Sequence, residues 1–276
     1  MITVVHTSSC PVGEATQHRY RICGKHCGYP PFGPSAYAPA PRRGEVWAWL
    51  MNGTTRTSQT YVGTVGDVGY QIVGVADHTG DGKADILWHH ATRGEVWIWP
   101  MNGTTVLSES YVDTVSDIGY QIVGNGDYNG DGKADILWHH ATRGEVWVWL
   151  MNGTTRISQT RVGTVPDVGY QIVGVADHTG DGKADILWHH ATRGEVWIWP
   201  MDGTTVVSES YIDTVPDTGY QIVGSGDYNG DNKADILWHH ATRGEVWIWP
   251  MDGTTRLSQT WVATVPDVGY QIVSSK

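Results

Sequence analysis

The sequence predicts an all-β protein, a β-propeller of about five four-stranded blades built from 50-residue repeats, with an irregular cysteine-containing N-terminal extension. One acidic segment recurs four times at intervals of 50 residues, beginning at Asp77, Asp127, Asp177 and Asp227. Each copy is followed by alternating apolar runs and turn residues, and no run has the period of an amphipathic helix. A fixed period of this length indicates repeated supersecondary units, and radially repeated four-stranded sheets form a propeller.

The unit that follows Asp77 shows the predicted strands. The first two candidates are Asp85–His90 and Glu95–Trp99, and the second alternates in side-chain character. A strong hairpin signal, Asn-Gly, follows directly. The third and fourth candidates are Thr104–Val115 and Tyr120–Val123. Because the fourth candidate leads straight into the next acidic segment, we expect the acidic segments to be loops between blades.

The acidic segments have the composition of loops that hold a hard cation. Oxygen-bearing side chains occupy positions 1, 3, 5 and 9 of each segment, and position 7 is a lysine that offers only its backbone carbonyl. Ca²⁺ takes about 6–8 oxygen ligands and tolerates irregular geometry. We expect about four structural Ca²⁺ ions; the alternative is a set of solvated Asp-Gly turns. The predicted ligand residues are Asp77, Thr79, Asp81, Lys83, Asp85, Asp127, Asn129, Asp131, Lys133, Asp135, Asp177, Thr179, Asp181, Lys183, Asp185, Asp227, Asn229, Asp231, Lys233 and Asp235.

A longer pattern resembles a known repeat family. The run Tyr-Gln-Ile-Val-Gly, then Asp-x-[Asn/Thr]-Gly-Asp-Gly-Lys-Ala-Asp-Ile-Leu-Trp, then Gly-Glu-Val-Trp-Ile-Trp resembles the FG-GAP/VCBS repeats. Those repeats build integrin-α-type propellers, and they occur in bacterial surface proteins and in a fungal lectin. The resemblance covers residues 44–276 and implies calcium in the loops and a propeller fold. It implies no single activity, because one fold hosts many.

Charge and hydropathy exclude two classes of partner. The formal net charge is −11, and the acidic segments contain twelve Asp and four Lys of the total. The acidity is therefore mostly candidate ligand charge, and it argues against nucleic-acid binding, which needs a basic face. No apolar run approaches the length of a membrane span. Weak calcium sites fill outside the cell, so we expect an extracellular or cell-surface location, although residues 1–10 contain no clear export signal.

The chain divides into an N-terminal extension, residues 1–43, and a five-repeat propeller, residues 44–276. The extension contains all three cysteines, Cys10, Cys23 and Cys27. They form either one disulfide with a spare thiol, which also permits a bond between molecules, or a zinc site with nearby histidines.

The first repeat lacks its first strand. A proline-rich stretch, residues 34–41, precedes Arg43 where that strand is expected, and proline cannot donate to a strand ladder. The segment Ile2–His6 has a matching apolar pattern. We expect it to be a donor strand, either to its own blade or to the open edge of another molecule.

Exposed polar and aromatic side chains are the candidates for ligand binding. The paired tryptophans of the second strand, and the Trp of the first, are interpreted as core between blades rather than as sugar-stacking platforms. The His89-His90 pair is interpreted as structural, because adjacent strand residues face opposite sides. The remaining candidates for ligand contacts are Arg93, Arg143, Arg193, Arg243, Tyr111 and Tyr211.

These features predict a non-catalytic, extracellular, calcium-stabilised recognition module. The expected partners are glycans or surface proteins, so the chain is carbohydrate-binding (lectin-like) or adhesive. No nucleophile stands beside a base, and the metal explains every acidic cluster, so an enzyme is not predicted. The alternative is a structural subunit of a cell-surface assembly or extracellular filament, joined by N-terminal strand donation.

Overall fold

The computed structural model describes residues 2–6, 44–52 and 55–267, and every regular element within these ranges is a β-strand. Four sheets each contain four antiparallel strands of a propeller blade, and a further sheet contains three. The all-β propeller prediction is therefore confirmed. The expected five four-stranded blades become four complete blades and one three-stranded sheet in the part of the chain described. No helix in that part is long and apolar enough to cross a membrane.

Each complete blade runs from its innermost to its outermost strand in chain order. Blade 1 consists of Tyr70–Ala76, Asp85–His90, Glu95–Trp99 and Ser110–Thr114. Blade 2 consists of Tyr120–Gly126, Asp135–His140, Glu145–Asn152 and Thr155–Thr164. Blade 3 consists of Tyr170–Ala176, Asp185–His190, Glu195–Trp199 and Ser210–Thr214. Blade 4 consists of Tyr220–Gly226, Asp235–His240, Glu245–Trp249 and Thr260–Thr264.

The acidic loops lie within blades, which corrects the prediction that they lie between blades. Tyr70–Ala76 pairs with Asp85–His90, with Tyr70 opposite His90, so residues 77–84 are the loop of a hairpin. The predicted fourth strand therefore belongs to the next blade as its innermost strand. A periodic pattern reveals the spacing of the strands but not the point at which one blade ends. The predicted boundary between blades was therefore wrong.

The predicted third strand, Thr104–Val115, is interrupted in blade 1. A short pair, Met101–Asn102 with Thr105–Val106, precedes the outer strand Ser110–Thr114. Equivalent short pairs are Met201–Asp202 with Thr205–Val206 and Met251–Asp252 with Thr255–Arg256. Proline at position 100, 200 and 250 has no N–H for the ladder. Blade 2 has Leu150 there, which pairs with Ser158, and its outer strand is continuous.

The three-stranded sheet joins the N-terminal strand to the first repeat. Ile2–His6 pairs antiparallel with Glu45–Asn52, which in turn pairs with Thr55–Thr64. Ile2–His6 thus stands beside Glu45–Asn52 as Asp85–His90 stands beside Glu95–Trp99. The pairing is within one chain, and donation to another molecule remains a prediction, as does the division at residue 43. The cysteine positions Cys10, Cys23 and Cys27 lie outside the described residues.

Tryptophan and aliphatic side chains form the core at each junction between blades. One tryptophan in the second strand of each complete blade, the strand predicted as the first of each repeat, is at most 2 % exposed, which confirms its interpretation as core. They are Trp88, Trp138, Trp188 and Trp238. Each packs against a Trp of the neighbouring strand; the ring centroids of Trp188 and Trp199 are 5.0 Å apart. Full burial of a Trp removes about 150–250 Å² from water, so these rings dominate the stability of the junctions.

Among the described residues, an apolar cluster joins blade 4 to a neighbour on one face only. Apolar clusters join the three-stranded sheet to blade 1, and each later blade to the next up to blade 4. Within the described ranges, no such cluster covers the far face of blade 4. Tyr228 is 43 % exposed there, whereas the equivalent Tyr128 is fully buried. The fifth copy of the innermost strand in the sequence, residues 270–273, lies outside the described residues.

The paired histidines connect strands and blades, which confirms their structural interpretation. The His89 ring packs edge-on against Trp138 of the next blade, with centroids 5.4 Å apart. The His90 ring packs against Tyr70 in its own blade and accepts the Arg93 N–H at 3.0 Å through Nδ1. The two rings face opposite sides of one strand and cannot share an ion.

Acidification is expected to destabilise the propeller through these buried rings. Burial, together with a smaller effect of the adjacent histidine, lowers the pKa of His89 and His139 to about 4. The unfolded chain therefore binds more protons than the folded one between pH ~6.5 and ~4, so stability falls as pH decreases through that window. The loss is on the order of 1–3 kcal/mol per histidine. Melting temperatures measured across this range should fall less in the double variant His89→Gln/His139→Gln than in the wild type. Equal slopes would contradict the assignment.

Candidate functional site

Each acidic loop is wound around the carboxylate of its first aspartate. In blade 3, Asp177 Oδ1 accepts N–H groups of Gly180 and Asp181 at 2.6 and 3.2 Å, and Oδ2 accepts that of Gly182 at 2.8 Å. Gly180 and Gly182 have φ values of 78° and 83°, which side chains rarely adopt. In blade 4 the second of these positions is Asn232, at φ 65°. The loop conformation is therefore encoded locally, in carboxylate and glycine positions.

The last aspartate of each loop is buried and ties the loop to its blade. Asp185 Oδ2 accepts the N–H groups of His178 and Thr179 at 2.9 and 3.0 Å, and Oδ1 accepts that of Met201 at 2.9 Å. Its exposed fraction is zero. Burial raises the pKa of Asp185 to about 6 and that of Asp135 to about 7, against the lowering effect of these hydrogen bonds. Because it accepts three backbone N–H groups, this buried carboxylate acts as a structural cap that holds the loop to its blade.

The predicted metal ligands fit calcium in chemistry but do not converge in this structure. Carboxylate, hydroxyl, carboxamide and carbonyl oxygens are the donors that a hard cation takes. Among the described residues, no three Asp, Glu, His or Cys side chains lie close enough to hold one ion. Asp181 Oδ1 instead accepts the Lys183 N–H at 2.9 Å. Calcium in these loops therefore remains a prediction.

The lysines at position 7 extend their side chains in two ways. Lys83 Nζ lies 3.0 Å from Asp81 of its own loop. Lys133 Nζ donates to Asn152 at 2.7 Å, and Lys183 Nζ to Asp202 at 2.5 Å, at the tip of the neighbouring hairpin. Lys233 similarly contacts Asp252. These amines lie at the hairpin tips in three of the loops, where they do not compete with a cation for the loop oxygens.

Neighbouring acidic loops are hydrogen-bonded to one another across blades. Ala134 N–H donates to the Asp77 carbonyl at 2.8 Å, and the His78 ring nitrogen Nδ1 lies 2.8 Å from the Ala134 carbonyl. Ala184 and Ala234 repeat the first bond to Asp127 and Asp177, each at 2.7 Å. Backbone hydrogen bonds therefore connect the acidic loops of adjacent blades in the described part of the chain.

The predicted arginine candidates are engaged in ion pairs within their own blades. Arg193 Nη1 lies 2.8 Å from Asp167, and Nε lies 2.9 Å from Glu195. The guanidinium stacks 5.1 Å from the centre of the Tyr170 ring, whose hydroxyl donates to Glu195. Equivalent arginine–aspartate pairs recur in the other complete blades: Arg93 with Asp67, Arg143 with Asp117 and Arg243 with Asp217. These contacts fasten a turn, so the arginines present little unsatisfied charge to a ligand.

The predicted tyrosine candidates lie on the outermost strands. Tyr111 and Tyr211 are each 51 % exposed. Each packs edge-on against a Trp of the adjacent strand, Trp97 or Trp197, with ring centroids 5.4 Å apart. The Tyr211 hydroxyl lies 2.8 Å from Thr214 Oγ1. Each pair forms an accessible aromatic flank at the rim of the blade.

Aromatic pockets lie at two equivalent junctions between blades, one lined by Trp197 and the other by Trp247. The first, about 120 Å³ in volume, lies between blades 2 and 3. Its lining residues are Val165, Tyr170, Trp188, Trp197, Trp199 and Glu209. The second, about 130 Å³ in volume, lies between blades 3 and 4. Its lining residues are Val215, Tyr220, Trp238, Trp247, Trp249 and Gln259. The sequence analysis missed these pockets; the one available signal was the alternation of Glu and Gln at this repeat position.

A model of the FG-GAP-like repeat matches residues 77–138, 127–188 and 177–238, more than half of the chain. No curated protein sequence matches the chain.

Solved structures of other proteins share the fold at low sequence identity. An Agrocybe aegerita lectin that recognises non-reducing terminal N-acetylglucosamine has a TM-score of 0.58 and 20 % identity, covering 80 % of this chain and 61 % of that one. A Photorhabdus luminescens Tc holotoxin pore has a TM-score of 0.52 and 13 % identity, covering 82 % and 11 %. A streptogramin B lyase has a TM-score of 0.51 and 8 % identity, covering 82 % and 63 %. The chain thus spans less than two-thirds of each.

Proposed function

The chain belongs to the FG-GAP-like repeat family, and we propose that it is a non-catalytic extracellular recognition module that binds carbohydrate in the pockets between its blades. The observation that carries the proposal is the repeated pocket, in which four aromatic rings surround one exposed Glu or Gln at equivalent positions.

The chemistry of the pocket suits a sugar ring. Small-ligand sites are concave and mostly apolar, with a few polar groups that set orientation. The C–H face of a pyranose packs on an indole ring, and carboxylate or carboxamide oxygens accept hydrogen bonds from its hydroxyl groups. Glu209 supplies a carboxylate at the rim, and the half-buried Trp197 supplies the accessible indole ring, above the buried Trp188 and Trp199. Weak sites repeated around one ring gain affinity for multivalent glycans through effective concentration.

The lectin with the same fold supports the carbohydrate class by analogy. The lyase shows that the fold alone does not exclude catalysis. The residues here favour binding, because the loop carboxylates of Asp177 and Asp185 are already engaged with backbone N–H groups. We further propose that Ca²⁺ binds in the four acidic loops. Its positive charge would rigidify the blades that carry the pockets.

A glycan array in calcium-containing buffer tests this function. We expect binding to glycans with terminal hexosamine residues. The double variant Trp197→Ala/Trp247→Ala should lose at least tenfold in apparent affinity, because it removes one aromatic wall from each of the two pockets. Val207→Ser, at a 64 % exposed position outside the pocket lining, is the control and should bind as the wild type does. An array without any binder would remove the proposal.

A further inference from the structure

The outer halves of the repeats alternate between two chemical classes, a glutamate class and an arginine class, named for the residue that distinguishes each. Blades 1 and 3 have Val at position 106 or 206 and the acids Glu109 or Glu209 three residues later. Blades 2 and 4, and the three-stranded sheet, have Arg followed by Gln at the same positions. The alternation changes the charge beside each pocket while leaving the tryptophan floor the same.

In the arginine class the chain places its own cation on the pocket tryptophan. The Arg256 guanidinium lies 4.5 Å from the centre of the Trp249 ring, and Nη1 donates to Gln259 at 3.1 Å. Its Nη2 lies 2.6 Å from Asp213 of the preceding blade. Arg156 makes the same contacts with Trp149, Gln159 and Asp113. The carboxamide of this pocket is therefore already hydrogen-bonded, and a positive charge stands next to it.

In the glutamate class the same tryptophan has no such cation. Val206 replaces the arginine, and Gly163 of the preceding blade lies directly against Trp199, since a Cβ there would be 2.9 Å from the ring. Glu209 is exposed at the pocket rim and makes no hydrogen bond or ion pair with the other described residues. Glu109 is likewise exposed and unpaired in that part of the chain. The pocket thus combines aromatic rings with an uncompensated carboxylate.

We infer that the Glu209 pocket, and by the repeat its counterpart at Glu109, selects a protonated amino sugar, whereas the Gln259 pocket and its counterpart at Gln159 do not. The inference rests on the proposed carbohydrate function and names its ligand class. An ammonium group is attracted both by a carboxylate and by the face of an aromatic ring. In the arginine class a cation of the chain itself, the Arg256 guanidinium, already contacts the equivalent ring, that of Trp249. In that class the guanidinium, itself paired with Asp113 or Asp213, already occupies the tryptophan ring, so a second cation finds no free aromatic face there.

The alternation also predicts valency. The order of the two classes along the chain gives two glutamate pockets, at blades 1 and 3. A protonated amino sugar should therefore occupy two strong sites per chain. Their affinity should fall with salt, because exposed charge pairs are screened over a Debye length of roughly 8–10 Å at physiological ionic strength.

Isothermal titration calorimetry with two matched probes tests the inference: a glucosamine tetrasaccharide and its fully N-acetylated counterpart, below neutral pH and in calcium. The wild type should bind the amine form about tenfold more tightly. The double variant Glu109→Gln/Glu209→Gln should lose this preference while retaining its affinity for the acetylated form. It should fold normally, since Gln is native at the equivalent positions of the other repeats. The control Gln159→Glu/Gln259→Glu should gain little, because Arg156 and Arg256 occupy the tryptophan ring and already donate to the side chain at this position.

The outcomes separate the two proposals. Binding of the acetylated probe without any preference for the amine overturns the inference and leaves the carbohydrate function standing. A preference that survives the glutamate substitutions also overturns it, because the selective charge then lies elsewhere. Failure of both probes to bind overturns the inference and, together with an empty glycan array, the proposed function as well.

Discussion

Calcium is expected to raise the melting temperature of the propeller, and EDTA to lower it, by roughly 20 °C or more. A ligand that binds only the folded state stabilises it by about 2.7 kcal/mol per site at a hundredfold excess over Kd. Four loops within one cooperative unit add up to on the order of 10 kcal/mol, and each kcal/mol shifts Tm by about 2–4 °C at this size. Each loop contains three aspartates, whose mutual repulsion the cation removes. Tryptophan fluorescence or calorimetric melts in EDTA, Ca²⁺ and Mg²⁺ measure the effect.

Selectivity and stoichiometry make the calcium prediction specific. Ca²⁺ should restore the melt better than Mg²⁺, because the loop oxygens offer irregular geometry and Mg²⁺ requires near-octahedral coordination. Asp81→Ala should reduce the number of bound ions from four to three and leave the other loops filled. A melt in EDTA that superimposes on the calcium melt would show that the loops are held by backbone hydrogen bonds alone.

Features that depend on short stretches of chain were predictable from the sequence. The acidic loop was recognisable because Asp177, Gly180 and Gly182 interact within a few residues of one another. Trp188 was interpreted as core from its place in an apolar strand segment of the repeat, and its exposed fraction of 1 % agrees. The phase of the blades was not predictable, because any cyclic shift of the same four strands has the same period. Only the pairing of Tyr70–Ala76 with Asp85–His90 shows where a blade begins.

The candidate pocket was hidden for a different reason. Its walls come from two blades, with Val165 contributed by one and Trp199 by the next. Contacts of this kind depend on how far one sheet stands from its neighbour, which no local pattern determines. The arginine candidates show the opposite error. Arg193 looked available in the sequence, but the fold brings it to Asp167, 26 residues earlier in the chain, with which it forms an ion pair.

Replacement of the buried loop aspartate should be the most damaging single change in the chain when metal is absent. In Asp185→Ala three backbone N–H groups, from His178, Thr179 and Met201, lose their acceptor inside the protein. Each unsatisfied buried donor costs about 1–3 kcal/mol. Removing a carboxylate whose charged form is disfavoured by burial offsets part of that loss. We expect a net destabilisation of roughly 3–5 kcal/mol, measured by denaturant unfolding in EDTA. Asp185→Asn keeps one acceptor oxygen and should lose less.

Asp181→Ala is the matched control, because it lies in the same loop but is exposed and accepts only the Lys183 N–H in this structure. In EDTA it should unfold nearly as the wild type does, since exposed contacts of this kind contribute little. In calcium both variants should be destabilised relative to the wild type, because each lacks a predicted ligand. The Asp185 effect is therefore independent of metal and the Asp181 effect depends on it. If Asp185→Ala unfolds as the wild type does in EDTA, the buried carboxylate is not a structural cap. If Asp181→Ala is equally destabilised with and without calcium, the loop holds no ion.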